Sequence, residues 1–308
     1  MDAVIQGIER RRWDIISERW RSYLPDRLDE MPDAYQAPTK ENLLIDRMRG
    51  VGPSNVFDSI DDAPVIRTLI FEAARFCAER CLYFTRTAEQ LAASGMPTAA
   101  VTVSYLGMLF GSRSMQGFLG VYYSFLENST WLIDVWPGAS ETSSQGRLKE
   151  WAPRIDAIVN KQRMGHEHHW KLFIRLRAVT TRLPLDDGAM SVLRKLRSHG
   201  NFSAQRNDIQ YNDKWPYLDL YQQLNEAEFG LLPSGWDVDE DDLDNNLKVA
   251  QIMAFCSAHM LLDVLMPLRK FNEYCAQLRL RLSPDWHPLL NAGALSNDLD
   301  RLQRRLVQ

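Results

Sequence analysis

Cysteine is scarce in this chain, with 4 among 308 residues. The four are Cys77, Cys81, Cys256 and Cys275. Cysteines so few and so scattered exclude a disulfide framework in a chain of this length. Cys77 and Cys81 stand one helical turn apart in an apolar stretch, and we interpret them as small buried side chains on one helix face rather than as a redox or metal pair.

The chain also lacks an excess of positive charge. Its 36 basic residues face 40 acidic ones, and the net charge of −4 gives no general indication of nucleic-acid binding. Arg far outnumbers Lys. Arg is the better residue for bidentate phosphate contacts, but we attribute its excess to the codon usage of a GC-rich genome. Hydrophobic residues are 45% and charged residues 25%, as in ordinary globular proteins, which excludes a disordered or collagen-like chain.

A secretory signal is missing from the first residues, MDAVIQGIERRRWDIISERW, which carry charges throughout and no apolar core. Together with the small number of cysteines, this favours a cytoplasmic protein. Nucleotide-binding glycine loops and the G-x-S-x-G elbow of hydrolases are absent as well. We therefore expect neither a dehydrogenase nor a nucleotide hydrolase, and no cofactor.

One apolar run is long enough to span a bilayer, since residues 99–126 contain a single charge, Arg113. Polar side chains lie near its middle, however, and would be costly in hydrocarbon. They are Thr102, Ser104, Ser112, Arg113, Ser114 and Gln116. We therefore predict no membrane association and a helix buried in protein, with Gly107 and Gly111 facing a neighbouring helix at close approach.

Helical periodicity runs through most of the chain. We predict helices over residues 5–24, 62–93, 98–127, 148–160, 169–182 and 243–282, with further ones opening near residues 190, 203 and 296. Residues 128–147 are predicted to form a surface loop. Residues 129–135 and 217–220 could be strands, but these are too few for a sheet. The predicted fold class is therefore all-α.

We predict three segments along the chain. Residues 1–60 form an N-terminal helix followed by a connector rich in Pro and Gly. Residues 61–230 form the main helical domain. Residues 231–308 form a C-terminal helical extension packed on the same body.

The sequence His166-Glu167-His168-His169 is a candidate metal site. Metal-binding histidines on a helix stand three or four positions apart, and only His166 and His169 do so here. The Glu-x-x-His order of a di-iron bundle is absent. We predict the polar start of a helix rather than a metal site.

The run Asp237, Asp239, Asp241 is similar to the start of a calcium loop. Asp242 takes the place of the required glycine, and Lys248 the place of the bidentate glutamate. The carboxylates are better explained by the N-terminus of the following helix, whose dipole favours negative charge. We predict no bound metal.

A third motif is Arg206-Asn207-Asp208-Ile209-Gln210-Tyr211, which follows a turn and opens a helix. It resembles the Arg-polar-x-x-x-His motif of HEPN domains, which occur in toxin, antiviral and RNA-processing proteins. Residues 91–120 resemble the apolar helix of that family, and residues 168–202 resemble the helix pair before its motif. The resemblance covers about residues 61–221 and implies a HEPN-like multi-helix bundle with N-terminal and C-terminal extensions.

The resemblance also implies roles for these residues. Arg206 would steady phosphate charge, Asn207 would orient its partner, and the residue at position 211 would aid attack by a ribose 2′-hydroxyl, without metal. The family has His where this chain has Tyr211, and a tyrosine with a reference pKa of about 10 is a poor base at neutral pH. Asn207 and Tyr211 are neighbours one turn apart on a helix. His199 is a candidate neighbour for nucleic-acid binding.

A competing match exists, because Arg194 and His199 also satisfy Arg-x4-His, a spacing expected by chance in an Arg-rich chain.

The function expected from the resemblance is binding or cleavage of RNA without metal, in a toxin or antiviral setting. The alternative is a non-catalytic helical interaction or scaffold protein with a degenerate site. We expect a two-fold homodimer, because the family's sites are usually composite. Binding of a further protein partner is also compatible with the sequence.

Overall fold

The computed structural model describes residues 13–24, 62–126, 129–136, 154–159, 165–175, 246–265 and 268. These residues form five helices and three strands. In chain order they are α1 (Trp13–Tyr23), α2 (Asp62–Ala93), α3 (Pro97–Phe118), β1 (Val121–Leu126), β2 (Ser129–Asp134), β3 (Arg154–Val159), α4 (His166–Arg175) and α5 (Asn246–Leu265). The described part of the chain is therefore mostly helical, as the sequence predicts.

The chain divides into two compact units. Unit 1 consists of Met1–Arg75, Met115–Leu183 and Asp263–Leu268, and unit 2 consists of Phe76–Ser114, Pro184–Leu262 and Arg269–Gln308. The division falls within α2, α3 and α5, so each of these helices contributes residues to both units. The sequence-based boundaries at residues 60 and 230 stay predictions.

Helix α1 belongs to unit 1 and buries one apolar face. Trp13, Ile16 and Trp20 recur at helical spacing and are fully buried. The indole N–H of Trp13 donates to Oδ2 of Asp263 at 2.8 Å, and that of Trp20 donates to the Phe118 carbonyl oxygen at 2.6 Å. These bonds satisfy the indole groups inside the core and fix α1 against the ends of α3 and α5.

The turn between α2 and α3 confirms the break predicted between the helices over residues 62–93 and 98–127. Helix α2 ends at Ala93, where Gly95 takes a left-handed φ of 74°. Its N–H donates to the Ala92 carbonyl at 3.0 Å, and the N–H of Met96 donates to the Leu91 carbonyl at 2.8 Å. Glycine has no Cβ to oppose this conformation, which explains its place just after the helix.

Close packing in unit 2 confirms the predicted role of Gly107 and Gly111. Both are buried on α3. A Cβ on Gly107 would lie 2.9 Å from Oγ1 of Thr85 on α2 and 3.3 Å from Cβ of Ala250 on α5. The Gly111 carbonyl accepts a 3.2 Å hydrogen bond from the Ser257 hydroxyl. The two glycines thus let α3 approach both neighbouring helices.

The prediction that strands are too few for a sheet is wrong. Strands β1, β2 and β3 form a three-stranded antiparallel sheet in that order. The predicted helix over residues 98–127 ends at Phe118, and the predicted helix over residues 148–160 contains β3 instead. The predicted loop over residues 128–147 contains β2.

The physical reason for the early end of α3 lies at Gly120, whose φ of 78° is left-handed. A Cβ there would lie 2.5 Å from Cδ1 of Trp136 and 2.9 Å from Cγ2 of Val135. The Gly120 carbonyl accepts from the N–H of Val135 at 2.9 Å. The segment after Gly120, VYYSFL, is rich in β-branched and aromatic residues, which favour strands.

A membrane span was the alternative for the apolar run. Among the helices that the structure describes, none combines the length and the apolar character needed to cross a bilayer.

Candidate functional site

The residues predicted from the HEPN-like motif lie outside the described part of the chain. They are Arg206, Asn207, Tyr211 and His199. The rival Arg194 and the carboxylates Asp237, Asp239 and Asp241 also lie outside it. Their proposed roles stay predictions. The described residues nevertheless contain several groupings of polar side chains that bear on function.

The histidine cluster begins helix α4, as predicted. His166 is its first residue and is exposed, whereas His169 is buried with 2% exposure. Nδ1 of His169 lies 2.5 Å from the hydroxyl of Tyr123 on β1. No group of three His, Cys, Asp or Glu side chains within the described ranges is arranged to hold a metal ion.

The pair of Tyr123 and His169 joins helix α4 to the sheet of unit 1. The indole of Trp170 packs edge-on against the His169 ring at 4.9 Å, and Phe173 packs edge-on against Trp170 at 5.9 Å. A His–Tyr pair has the groups for proton transfer, but a general base must reach its substrate. Because His169 is buried among aromatic rings, we interpret the pair as an anchor for α4.

Arginine and aromatic side chains also meet in unit 1. The guanidinium carbon of Arg67 lies 4.1 Å from the Trp136 ring centroid and 5.6 Å from that of Tyr23. Nε of Arg67 donates to the Val135 carbonyl at 3.3 Å. Such stacks can hold nucleic-acid bases when they are open to solvent. Trp136 is only 4% exposed, so this stack holds the end of the sheet in place.

The two cysteines of α2 are not activated nucleophiles. Burial raises the pKa of Cys81 to about 12 and that of Cys77 to about 11, even though the Arg113 guanidinium lowers the latter. Reactive cysteines have a lowered pKa and an accessible thiolate. Cys81 is fully buried and Cys77 half-buried, which confirms their interpretation as packed side chains on one helix.

A buried ion pair lies on α2 in unit 1. Nε and Nη2 of Arg75 donate to Oε1 and Oε2 of Glu72 at 3.2 and 3.0 Å. The two side chains are 1% and 3% exposed. Two parallel bonds between a planar guanidinium and a planar carboxylate are the strongest arrangement for such a pair. Both oxygens of Glu72 and one edge of Arg75 are therefore used.

A different polar cluster lies in unit 2 between α2 and α5. Nη1 of Arg86 donates to Oε2 of Glu89 at 2.9 Å, and Nε2 of Gln251 donates to Oε1 of Glu89 at 2.8 Å. The Arg86 side chain is 2% exposed and that of Glu89 is 13% exposed. Nε and Nη2 of Arg86 have no hydrogen-bond partner among the described residues. This cluster can therefore offer two buried donors to an anion.

Arg86 and Glu89 were not among the residues predicted from the sequence. A usable signal exists, because Glu72 and Arg75, and again Arg86 and Glu89, stand three positions apart within a largely apolar helix. The two pairs have opposite order along the chain. The spacing in the sequence does not reveal which edge of each arginine is bound, because this depends on the side chains packed around it.

No protein-family model, no curated protein and no solved structure matches this chain.

Proposed function

We propose that this chain is a HEPN-like protein that binds RNA and that its action on RNA needs no metal. The observation that carries the proposal is the motif of Arg206, Asn207 and Tyr211 in its sequence. An arginine there can bind a phosphate through its planar guanidinium. The mostly helical character of the described residues supports the proposal at the level of fold class.

The test uses full-length protein and a structured RNA, with and without a chelator of divalent metals. Binding should fall in Arg206→Ala and persist in Arg194→Ala, the matched control with the same change of charge at the competing motif. Equal loss in both variants would point to general charge effects instead. The free energy of unfolding of both variants, measured by thermal unfolding, should stay within about 0.5 kcal/mol of the parent value, as is typical of substitutions at surface positions.

Position 211 provides the second arm of the test. Tyr211→His restores the residue that the family motif has, and an imidazole with a pKa near 6.5 is a far better base than a phenol. We expect the variant to cleave RNA faster than the parent in the presence of chelator. If Tyr211→His leaves cleavage unchanged at background while Arg206→Ala still weakens binding, the protein binds RNA without cutting it.

The second candidate is a non-catalytic helical interaction protein, in a toxin or antiviral setting or elsewhere. Two observations favour it. Tyr211 stands where the motif needs a base, and β1, β2 and β3 form a sheet between the two resembling segments, within a range for which the resemblance implies a bundle of helices. Absence of RNA binding in the parent protein would favour this candidate.

The homodimer belongs to the same proposal, because a two-fold axis would bring two copies of Arg206 to one groove. Light scattering on the parent protein tests it independently of RNA, and a monomer at tens of micromolar would contradict it.

A further inference from the structure

The polar cluster of Arg86, Glu89 and Gln251 in unit 2 has the features of a second binding site. Arginine is rarely buried without partners, because its charge and its five N–H donors lose water when they leave the surface. The Arg86 side chain is 2% exposed, and only Nη1 of its three nitrogens has a hydrogen-bond acceptor among the described residues. The two remaining nitrogens, Nε and Nη2, therefore need an acceptor.

The comparison with Arg75 on the same helix shows which acceptor fits. Nε and Nη2 lie on one edge of a guanidinium and point in parallel, and in Arg75 this edge binds both oxygens of the Glu72 carboxylate. In Arg86 the neighbouring Glu89 binds Nη1 instead, with a single bond. The parallel edge of Arg86 thus has the same geometry as that of Arg75 and is not occupied by Glu89.

Glu89 is held away from that edge by a second interaction. Its Oε1 accepts from the Gln251 amide at 2.8 Å, while Oε2 accepts from Arg86. Turning Glu89 to face Nε and Nη2 would break its bond to α5. The arrangement therefore keeps one edge of Arg86 available as long as α2 and α5 are packed together.

The charge of the cluster selects the ligand. Arg86 and Glu89 neutralise each other, so a bound anion adds its full charge to a site with little water. A single negative charge is tolerable there when two charge-assisted bonds hold it, and a doubly charged phosphate is costly.

We propose that the Nε–Nη2 edge of Arg86 is a binding site for the carboxylate group of a small organic acid. The group must be small, because Arg86 is almost fully enclosed and Glu89, at 13% exposure, is the more accessible member of the pair. The proposal is independent of the RNA motif, and its tests do not involve RNA.

The experiment measures thermal unfolding of the full-length protein at neutral pH in sodium acetate, sodium phosphate and sodium chloride of equal ionic strength. Acetate should raise the unfolding midpoint above that in chloride, because a ligand that binds only the folded state stabilises it. Phosphate also stabilises folded proteins generally because it is excluded from their surface, so the rise that depends on Arg86, taken as the difference between the parent and Arg86→Lys in the same salt, should be smaller in phosphate than in acetate. Equal midpoints in acetate and chloride would overturn the proposal.

Arg86→Lys keeps the positive charge beside Glu89 but has no parallel pair of donors. It should weaken acetate binding about tenfold or more, as expected for loss of one charge-assisted hydrogen bond. Arg75→Lys is the matched control, because the edge it removes is bound by Glu72. It should lower stability while keeping the response to acetate. An unchanged acetate response in Arg86→Lys would contradict the proposal.

Glu89→Gln gives an independent readout if Arg86→Lys does not fold. The amide oxygen of glutamine can still accept from Nη1, while the competing negative charge is gone. Acetate should bind this variant more tightly than the parent. The rise in its unfolding midpoint should therefore occur at lower acetate concentrations. Unchanged or weaker acetate binding in Glu89→Gln would overturn the charge argument and with it the site.

Discussion

Gly111 of α3 lies directly against Met253 of α5, so that a Cβ placed on the glycine would be 2.7 Å from Cβ of Met253. Sγ of Cys81 would be 2.8 Å from the same Cβ. Carbon atoms do not approach this closely in a packed interior. Helices α2, α3 and α5 therefore meet within unit 2 at a point where α3 has no side chain.

Replacement of Gly111 by Leu should destabilise the protein, because the larger side chain forces α3 away from α2 and α5. Overpacking of this kind typically costs about 1–3 kcal/mol in the free energy of unfolding. Ala99→Leu, at an exposed position of the same helix, is the matched control. Chemical denaturation measures both, and an unfolding midpoint of Gly111→Leu equal to that of the control would contradict the close approach.

Gly95 and Gly120 both have left-handed φ values, and comparing their alanine variants distinguishes the cost of backbone strain from the cost of steric overlap. Gly95→Ala introduces a Cβ with nothing within 4 Å, so we expect only the backbone cost of a left-handed alanine. That cost is about 1–2 kcal/mol. Gly120→Ala has a similar φ but places its Cβ against Trp136 and Val135. Its free energy of unfolding should fall further than that of Gly95→Ala, and equal losses would show that the sheet yields easily.

The indole N–H of Trp20 donates to the backbone carbonyl of Phe118 inside the core of unit 1. Trp20→Phe keeps an aromatic ring against Phe71 but removes this donor. A buried carbonyl left without its donor costs about 1–3 kcal/mol, to which lost ring contact adds. Tyr83→Phe, at an exposed position, should change the unfolding free energy little. Similar unfolding curves for the two variants would show that the hydrogen bond contributes nothing.

Alkaline pH should destabilise the protein through Cys81. Burial raises its pKa in the folded state from 9.0 to about 12, so the unfolded chain releases the thiol proton at a lower pH than the folded chain does. The folded state consequently binds more protons above pH 9.0, and the free energy of unfolding falls between that pH and about 12.

The measurement compares the parent with Cys81→Ala by urea unfolding at neutral pH and at several alkaline values. The variant starts from a lower stability, because it lacks the packed sulfur, but its stability should fall less steeply with pH. Cys77 adds a smaller dependence of the same sign, since its pKa is raised to about 11. Parallel pH profiles for parent and variant would contradict the burial of the Cys81 thiol.

The sequence predicted much of the helical part correctly because its signals are local. Gly95 and Pro97 mark the break between α2 and α3, and small residues one turn apart mark the approach at Gly107 and Gly111. These patterns depend on residues close together in the chain. The polar groups in the middle of the apolar run likewise predicted burial in protein, and the structure places Ser104, Ser112 and Ser114 in the interior.

The sheet was missed because its signals are not local. Strand β1 follows an apolar helix without a change in hydrophobicity, so VYYSFL continues the pattern of α3. Its pairing with β2, and that of β2 with β3, depends on backbone bonds between separate segments. Gly120 was the available marker of the break. The distant partners of Glu89 and His169 were missed for the same reason, since Gln251 and Tyr123 lie far from them in sequence.

The late position of helix α5 in the sequence affects folding of the chain during its synthesis. Nearly all of its described side chains are buried, and its Ser257 bonds to Gly111, 146 positions earlier. Translation adds about 5–20 residues per second, so α2 and α3 leave the ribosome several seconds before α5 exists. During that interval the surface around Gly107 and Gly111 has no α5 to cover it. The newly made chain should therefore depend on chaperones until α5 emerges, and ribosome-bound chains that end before Asn246 should aggregate when released.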